Sequence, residues 1–281
     1  MKEKERIGMN QLNSVLEELF NRWKVEQSKD KKTTCNSKNG YVVATNSFYK
    51  DGIVNLKEYQ NSEKKVLFIT NEVSIDCKQD NDEKKHGLKG KCEGGHLVGN
   101  DEGNTVCSFA KYINGEEQET WSGKMRIKFG EMYRIITEGE NYEMGGITEK
   151  SEKALEKNKE ALKKIAFMNL NKRGGFGNIQ GENFLKYIET YKDYIRREIE
   201  IINPDVIVWC ACNTYKKKYM DAIFDDKYKN VWQQKELVLN KKEIPILRMW
   251  HPSVRAKSME KYLNKFSEVW EEYEKAKDDN K

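Results

Sequence analysis

The sequence has little proline and little histidine, and it contains no long apolar run. Of its 281 residues only three are proline and three are histidine. No apolar stretch approaches the roughly 18 residues that a membrane-spanning helix needs, so no membrane span is expected. The first six residues are mostly charged and lack the hydrophobic core of a secretory signal. We therefore expect a cytoplasmic protein.

The composition predicts a folded chain despite its high charge. The apolar fraction is 37% and the charged fraction 35%, but six Trp, fourteen Tyr and ten Phe are too many for a disordered protein. In a cytoplasmic protein the six cysteines are expected to be thiols or metal ligands, not disulfides. The formal charge of +5 is compatible with a polyanionic partner, although charge alone does not identify one.

Short apolar runs separated by amphipathic runs predict alternating strands and helices. Four runs predict buried strands: 65–70, 165–170, 205–210 and 244–249. Helices are predicted over 10–27, 121–137, 149–162, 182–202, 213–223 and 256–276, and the run 231–239 predicts a hairpin partner or an edge strand. Continuous apolar strands separated by helices are typical of a parallel sheet covered on both faces. We therefore expect an α/β fold of three layers, α/β/α, with a central four-stranded parallel sheet.

The chain is expected to contain one main domain with two additions. Residues 1–40 are predicted to form an N-terminal helix and a polar connector, and residues 41–281 an α/β domain. Glycine and charge dominate from about 77 to 115, where no periodicity is visible. We interpret this stretch as an inserted loop.

Each predicted strand ends in residues whose side chains can take part in chemistry. Asn71 and Glu72 follow the first strand, Asn169 lies in the second and His251 follows the fourth. The carboxyl ends of parallel strands lie on one edge of a sheet, so these residues are expected to meet in one crevice. The alternatives are structural. Glu72 could pair with a lysine or cap a helix, Asn169 could form an Asx turn, and His251 could merely satisfy local hydrogen bonds in a loop.

The strand ends resemble those of the uracil-DNA glycosylase superfamily. The resemblance rests on four runs that together cover about residues 48–276: Val66–Ser74, Ala166–Leu170, Asn203–Val208 and Trp250–Ser253. The first run looks like the water-activating motif, the second like the strand whose asparagine reads a pyrimidine edge, and the last like the His-Pro-Ser motif. The first run has neither the Gly-Glu-Ala-Pro-Gly nor the Gly-x-Asn-Pro-Gly form. Glu72 is therefore the expected catalytic residue, with Asn71 as the alternative.

The resemblance implies a monofunctional DNA glycosylase that flips out a uracil or a modified pyrimidine and hydrolyses its N-glycosidic bond. The product would be an abasic site, in DNA repair or in antiviral defence against phage DNA with modified bases. Glu72 would orient the attacking water, and His251 would donate to the departing pyrimidine. Asn169 and Phe176 are the expected base-binding residues. No cofactor is expected to be required.

DNA is the expected partner, either as a duplex with a flipped nucleotide or as a single strand, and the protein is expected to be a monomer. The candidate DNA contacts are positively charged or hydroxyl side chains near the strand ends: Lys172, Arg173, Ser253, Arg255 and Lys257. The alternative for each charge is an ordinary solvated surface residue. Two other functions stay open, namely a non-catalytic binder of modified or single-stranded DNA and a hydrolase of free nucleotides or nucleosides.

The inserted loop contains a candidate structural zinc site. Two cysteines and two histidines lie close together there: Cys77, His86, Cys92 and His96. Two Cys and two His ligands can bind tetrahedral zinc, although this spacing matches no common zinc finger. The alternative is a charged loop that binds no metal.

Overall fold

The structure is a computed structural model that describes residues 2–30, 48–74, 123–139, 142–143, 152–175, 182–211, 216–224, 228–231, 234–239, 242–254 and 257–279. The predicted inserted loop and its four candidate zinc ligands lie outside these residues. No helix in the described ranges combines the length and the apolar character that a membrane span requires.

Seven helices and seven strands make up the described part of the chain. The helices are α1 (Lys2–Lys29), α2 (Leu56–Gln60), α3 (Gly123–Glu138), α4 (Glu152–Lys163), α5 (Glu182–Ile202), α6 (Lys216–Phe224) and α7 (Met259–Asp278). The strands are β1 (Gly52–Ile53), β2 (Val66–Ser74), β3 (Ile165–Gly175), β4 (Val206–Trp209), β5 (Tyr228–Val231), β6 (Gln234–Leu239) and β7 (Lys242–Arg248).

All seven strands form one mixed sheet in the order β1-β3-β2-β4-β7-β6-β5. The four apolar strands predicted from the sequence, β3, β2, β4 and β7, are neighbours at its centre and run parallel. The expectation of a four-stranded parallel sheet was nevertheless wrong, because antiparallel strands extend both edges. β1 is only two residues long, and β5 and β6 are rich in polar residues, so their apolar signal is weak. The α/β class and the pairing of β6 with β7 are confirmed.

Helices cover both faces of this sheet and divide the core in two. On one face α1, α5 and α6 pack against strand residues that include Leu67, Met168 and Ile207. On the other face α3, α4 and α7 pack against the alternate strand residues, including Phe68 and Phe167. The separation follows from the alternation of side chains along a strand. Three layers are therefore present, as the sequence indicated.

Helix α1 packs on the same core as the sheet. Its residues Leu16, Leu19, Phe20 and Trp23 are buried in the cluster that contains α5 and α6. The Trp23 ring stacks on Tyr194 of α5, with 5.5 Å between the ring centroids. The apolar face predicted for residues 10–27 is confirmed, and it attaches the N-terminal helix directly to the α/β unit.

The end of α5 shows how a local signal fixes a boundary. Asn203 follows the helix with φ of 48°, a left-handed conformation that asparagine adopts more readily than most residues. Its backbone N–H donates to the Ile199 carbonyl at 2.9 Å. Pro204 then prevents the helix from continuing. The predicted helix over 182–202 is confirmed at both ends.

Helices α3 and α4 approach each other closely at Gly130. A Cβ atom added at Gly130 would overlap Asn158 Oδ1 and would lie 3.1 Å from Asn158 Cγ. The Asn158 amide donates to Glu131 Oε1 at 2.8 Å, and the Tyr142 hydroxyl donates to Glu131 Oε2 at 2.7 Å. Arg134 also donates to this buried carboxylate, at 3.2 Å. The small residue at position 130 thus permits a network that joins α3 to α4.

Replacing Gly130 with alanine is expected to destabilise the protein. Alanine in a helix interior is intrinsically favoured by about 1 kcal/mol, but the overlap with Asn158 should outweigh this gain and leave a net loss of about 1–3 kcal/mol. Urea denaturation of Gly130→Ala, Asn158→Ala and the double variant gives the coupling energy. The substitution should be less damaging in the Asn158→Ala background. A Gly130→Ala variant more stable than the wild type would contradict this close approach.

Candidate active site

The carboxyl ends of the four parallel strands converge where the strand order reverses. From β2 the chain first crosses to β3 on one side, and later enters β4 on the other side of β2. The boundary between β2 and β4 is therefore the topological switch point, where open α/β sheets place their ligand crevices. β2 and β3 continue to Ser74 and Gly175, whereas β4 ends at Trp209.

The strand register places the backbones of Glu72 and His251 each three residues beyond one row of the sheet. Ile69, Trp209 and Arg248 form one row across β2, β4 and β7. Glu72 lies three residues beyond Ile69, and His251 lies three residues beyond Arg248. Two strand spacings separate their backbones, which amounts to about 10 Å. The backbones of the two predicted catalytic residues therefore both lie at the carboxyl edge of the sheet, on either side of β4.

A tight turn holds His251 at the end of the strand. The Val254 N–H donates to the His251 carbonyl at 3.0 Å, which closes a four-residue turn. Pro252 occupies the second position of the turn, where its fixed φ is favoured. Ser253 is exposed at the tip, and its Oγ lies 2.6 Å from His251 Nδ1. The half-buried imidazole is thus positioned by its own turn.

The same turn determines which ring nitrogen of His251 carries the hydrogen. The backbone N–H of Ser253 donates to Nδ1 at 3.2 Å. An amide N–H cannot accept a hydrogen bond, so this contact favours Nδ1 as the acceptor and, in the neutral ring, a hydrogen on Nε2, while the Ser253 hydroxyl fits either tautomer. His251 therefore presents Nε2–H as a donor. This tautomer suits the stabilisation of negative charge on a substrate oxygen.

Two helices brace the turn from below. Lys128 of α3 is buried, and its Nζ donates to the carbonyls of Pro252 at 2.6 Å and of Val254 at 3.3 Å. The Tyr262 hydroxyl of α7 donates to the Trp250 carbonyl at 2.6 Å. Burial raises the pKa of Tyr262 well above its ordinary value of 10.0, and nearby Cys210 adds to this effect, so the hydroxyl remains a neutral donor. Two buried side chains therefore hold the turn in place by hydrogen bonds to its carbonyls.

Asn169 lies in an interior hydrogen-bond network. Its Oδ1 accepts from Thr70 Oγ1 at 2.7 Å, and its Nδ2 donates to Asp51 Oδ2 at 3.3 Å. Its backbone N–H donates to the same Asp51 oxygen at 2.6 Å, and only 2% of the residue is exposed. The expectation that Asn169 reads a base edge is corrected, because its amide joins β3 to β2 and to the segment before β1.

Lys172 is also an interior residue and does not contact a phosphate. None of its side chain is exposed, and its Nζ pairs with Asp51 and with Glu198, the latter at 2.8 Å. Its Nζ lies 5.3 Å from the Trp23 ring centroid on α1. β3 runs five residues beyond the predicted strand end, and strand alternation therefore directs Lys172 into the core with Met168. The prediction that Lys172 binds DNA was wrong.

The remaining predicted site residues divide by position. Asn71 is half-buried in β2, and Lys257 places its Nζ 5.3 Å from the Trp250 ring centroid beside the His251 turn. Glu72 and Arg173 are placed by their backbones in β2 and β3, and their side chains lie outside the description. Phe176 and Arg255 lie outside the described residues. The roles predicted for these residues remain predictions. The described ranges contain no group of three or more His, Cys, Asp or Glu side chains arranged for a metal ion.

Sequence reasoning missed Lys128, Tyr262, Asp51 and Glu198. Lys128 and Glu198 occupy inward positions on otherwise amphipathic helices, where a charged residue interrupts the apolar face. Such an interruption can be detected from a sequence in principle. It is hard to detect here, because the chain contains 51 basic and 46 acidic residues. Asp51 had a weaker signal, because it precedes Gly52, whose φ of 128° only glycine adopts readily. Tyr262 lies within the predicted helix over 256–276, and helical spacing gives no signal of its hydrogen bond.

Comparisons of the chain with models of protein families, with curated proteins and with solved structures returned no match.

The buried cluster of Asp51, Lys172 and Glu198 is expected to make stability depend on pH. Burial raises the pKa of Glu198 well above its ordinary value of 4.5, and Asp51 raises it further, while Lys172 opposes both. The folded state therefore binds a proton that the unfolded state releases, so this contribution to stability is lost as the pH rises above about 4.5. Glu198→Gln should abolish the loss and gain stability relative to the wild type between pH 5.5 and pH 8.

Urea denaturation at both pH values measures this difference. Glu189→Gln, an exposed change on the same helix, is the matched control and should leave the pH dependence unchanged. Replacement of the charged partner of a buried ion pair usually destabilises a protein by about 3–5 kcal/mol. A loss of that size for Glu198→Gln at both pH values would show that Lys172 requires an ionised Glu198.

Proposed function

We propose that this protein is an N-glycosidic bond hydrolase that removes a pyrimidine base from DNA. The observation that carries the proposal is the hydrogen bond from the Ser253 N–H to His251 Nδ1, which favours Nε2–H as the ring donor, on the carboxyl edge to which β2 also brings Glu72. A donor for a departing anion and a carboxylate for water are the two groups that such a hydrolysis needs. Their position at the switch point of a parallel sheet is consistent with a ligand crevice.

In the proposed reaction a water molecule attacks C1′ of the flipped nucleotide while the bond from C1′ to the base nitrogen breaks. The electron pair of that bond leaves with the base, and negative charge develops on an exocyclic carbonyl oxygen of the pyrimidine. His251 Nε2–H donates a hydrogen bond to that oxygen, and Glu72 takes the proton of the attacking water. The products are a free base, which acquires a proton from solvent, and an abasic sugar.

The proposal gives Asn169 a supporting role. Through Thr70 and Asp51 it links β3 to β2, the strand that contains Glu72, and to the segment before β1. Direct reading of the base would then fall to other groups on the same edge. The candidate phosphate contacts are Ser253, Arg173, Arg255 and Lys257. Lys217 is a further described cation that is exposed near the start of α6, the helix that follows β4.

The similarity of the strand-end motifs to the uracil-DNA glycosylase superfamily supports the same proposal. The parallel strands β2, β3, β4 and β7 occupy the centre of the sheet, and each of the motif runs lies on one of them or directly before or after it. The proposal extends to uracil and to modified pyrimidines, in repair or in defence against phage DNA. It requires no cofactor in the reaction.

Loss of Glu72 or His251 is expected to abolish excision. His251→Ala should lower the rate about 10²- to 10³-fold, since removal of one such donor typically costs about 3–4 kcal/mol. Glu72→Gln should lower it by about 10²-fold or more, because the amide cannot take a proton. The measurement is alkaline cleavage at abasic sites in duplex and single-stranded DNAs that carry uracil, oxidised, deaminated, hydroxymethylated or glucosylated pyrimidines.

Glu63→Gln is the matched control, because Glu63 is an exposed carboxylate before the opposite end of β2. It should excise at the wild-type rate. Full excision by both Glu72→Gln and His251→Ala would contradict the mechanism. Salt-sensitive DNA binding without abasic sites would favour a non-catalytic binder, and release of bases from mononucleotides alone would favour a nucleotide hydrolase.

A second candidate function follows from the contact between Ser253 Oγ and His251 Nδ1 at 2.6 Å. An exposed hydroxyl within hydrogen-bond reach of an imidazole is a possible serine nucleophile. The backbone N–H of Ser253 already donates to the same nitrogen, which weakens Nδ1 as a base for the hydroxyl. The glycosidic reaction is therefore favoured over acyl transfer.

Ser253→Ala separates these two functions. If His251 acts as a donor, its tautomer survives through the backbone N–H, and excision should fall by only about tenfold or less, the effect of one hydrogen bond. The variant should also retain any esterase background. Complete loss of ester hydrolysis, together with labelling of wild-type Ser253 by a fluorophosphonate, would instead identify a serine hydrolase.

A further inference from the structure

Lys128 is a buried lysine that lies beneath the His251 turn. Only 4% of it is exposed, and its Nζ donates to the carbonyls of Pro252 at 2.6 Å and of Val254 at 3.3 Å. The ammonium also lies 4.3 Å from the ring centroid of Tyr262. Burial of an ammonium group is unfavourable unless such partners compensate. The chain therefore holds a positive charge directly under the turn that positions the imidazole.

One peptide group connects this charge to the imidazole. The carbonyl of Pro252 accepts from Lys128, and the N–H of the same Pro252–Ser253 peptide donates to His251 Nδ1 at 3.2 Å. In a trans peptide the C=O and N–H point in opposite directions, and the described chain has no cis peptide bond. A charge at the oxygen polarises the N–H at the other end, and linked hydrogen bonds strengthen one another by about 10–30% each.

We infer that Lys128 is a positioning residue that acts on His251 through the Pro252–Ser253 peptide group. A stronger donor at Nδ1 draws electron density from the ring, so the Nε2–H becomes a better donor. It also fixes the neutral tautomer in which Nε2 carries the hydrogen. The effect on the ring does not depend on the substrate. Its consequence for catalysis rests on the proposed function.

The alternative is that Lys128 only supports the turn mechanically. Tyr262 is the control for that alternative. Its hydroxyl supports the same turn by donating to the Trp250 carbonyl at 2.6 Å. That carbonyl belongs to the Trp250–His251 peptide, so this bond does not lead to Nδ1. Tyr262→Phe retains the ring under Lys128 and removes only the brace. Lys128→Met retains most of the side-chain volume and removes the charge and the donor.

The test is nuclear magnetic resonance of the imidazole nitrogens in ¹⁵N-labelled full-length protein. His251→Asn assigns the His251 signals, and His86 and His96 serve as internal references. The wild type should show Nε2 protonated and Nδ1 unprotonated. In Lys128→Met the Nε2–H proton signal should move upfield and the other tautomer should appear. Lys128→Arg, which restores a charged donor, should recover most of the wild-type signal, and Tyr262→Phe should leave it unchanged.

Two results would overturn the inference. Unchanged ring signals in Lys128→Met would show that the peptide transmits nothing, and equal shifts in Lys128→Met and Tyr262→Phe would show bracing alone. If Lys128→Met does not fold, as judged by circular dichroism, Lys128→Gln takes its place with a smaller expected shift.

The activity assay tests the catalytic consequence separately. On a DNA that the wild type cleaves, Lys128→Met should lower kcat by about tenfold with KM unchanged, because the stronger donor acts on charge that develops in the transition state. Tyr262→Phe should change kcat by less than about threefold. If the wild type cleaves no DNA, the proposed function fails, and the resonance measurement alone decides the role of Lys128.

Discussion

The candidate site depends on how the backbone after β7 satisfies its hydrogen bonds once it leaves the sheet. A buried carbonyl without a donor is unfavourable, and the turn presents three carbonyls to the helices below it, those of Trp250, Pro252 and Val254. Lys128 and Tyr262 supply the donors, one from each helix beneath the turn. Because these donors hold the carbonyls down, the N–H groups of the turn are directed to the imidazole and to the turn itself.

The other side of the edge is fixed by a second buried group, the carboxylate of Asp51. It accepts from the backbone and the amide of Asn169 and pairs with Lys172, so one side chain joins the segment before β1 to β3 at two positions. Glu198 joins this cluster from α5, and the aromatic rings of α1 cover it. The N-terminal helix therefore contributes to the same edge of the sheet as the His251 turn. Buried charged side chains therefore stabilise the carboxyl edge of the sheet on both sides of β4.

Much of the fold followed from the sequence, because apolar runs and helical spacing report burial directly. The four central strands, the helix over 182–202 and the position of His251 after the fourth strand could be located in this way. The edge strands β1, β5 and β6 could not, since short or polar strands are defined by their partners and not by their own pattern. The site was predictable only in outline: the edge and His251 followed from strand ends, while the residues that hold them came from distant parts of the chain.

Lys172 and Lys128 show why the charged residues were the hardest to assign. Lysine is abundant throughout this sequence, so a lysine after a strand resembles any surface residue. The distinction lies in periodicity: Ala166, Met168, Leu170 and Lys172 alternate on one face of β3, and Lys128 falls one residue before Phe129 on the buried side of α3. A charge that continues an apolar face must find partners inside the fold.

Where the partner is a carboxylate, as at Lys172, the ion pair joins secondary-structure elements. Where the partners include main-chain carbonyls, as at Lys128, the charge acts on the turn above it. Lys172 thus pairs with carboxylates, whereas Lys128 binds carbonyls of the turn. Of the two, Lys128 is connected to the imidazole, through the Pro252–Ser253 peptide group.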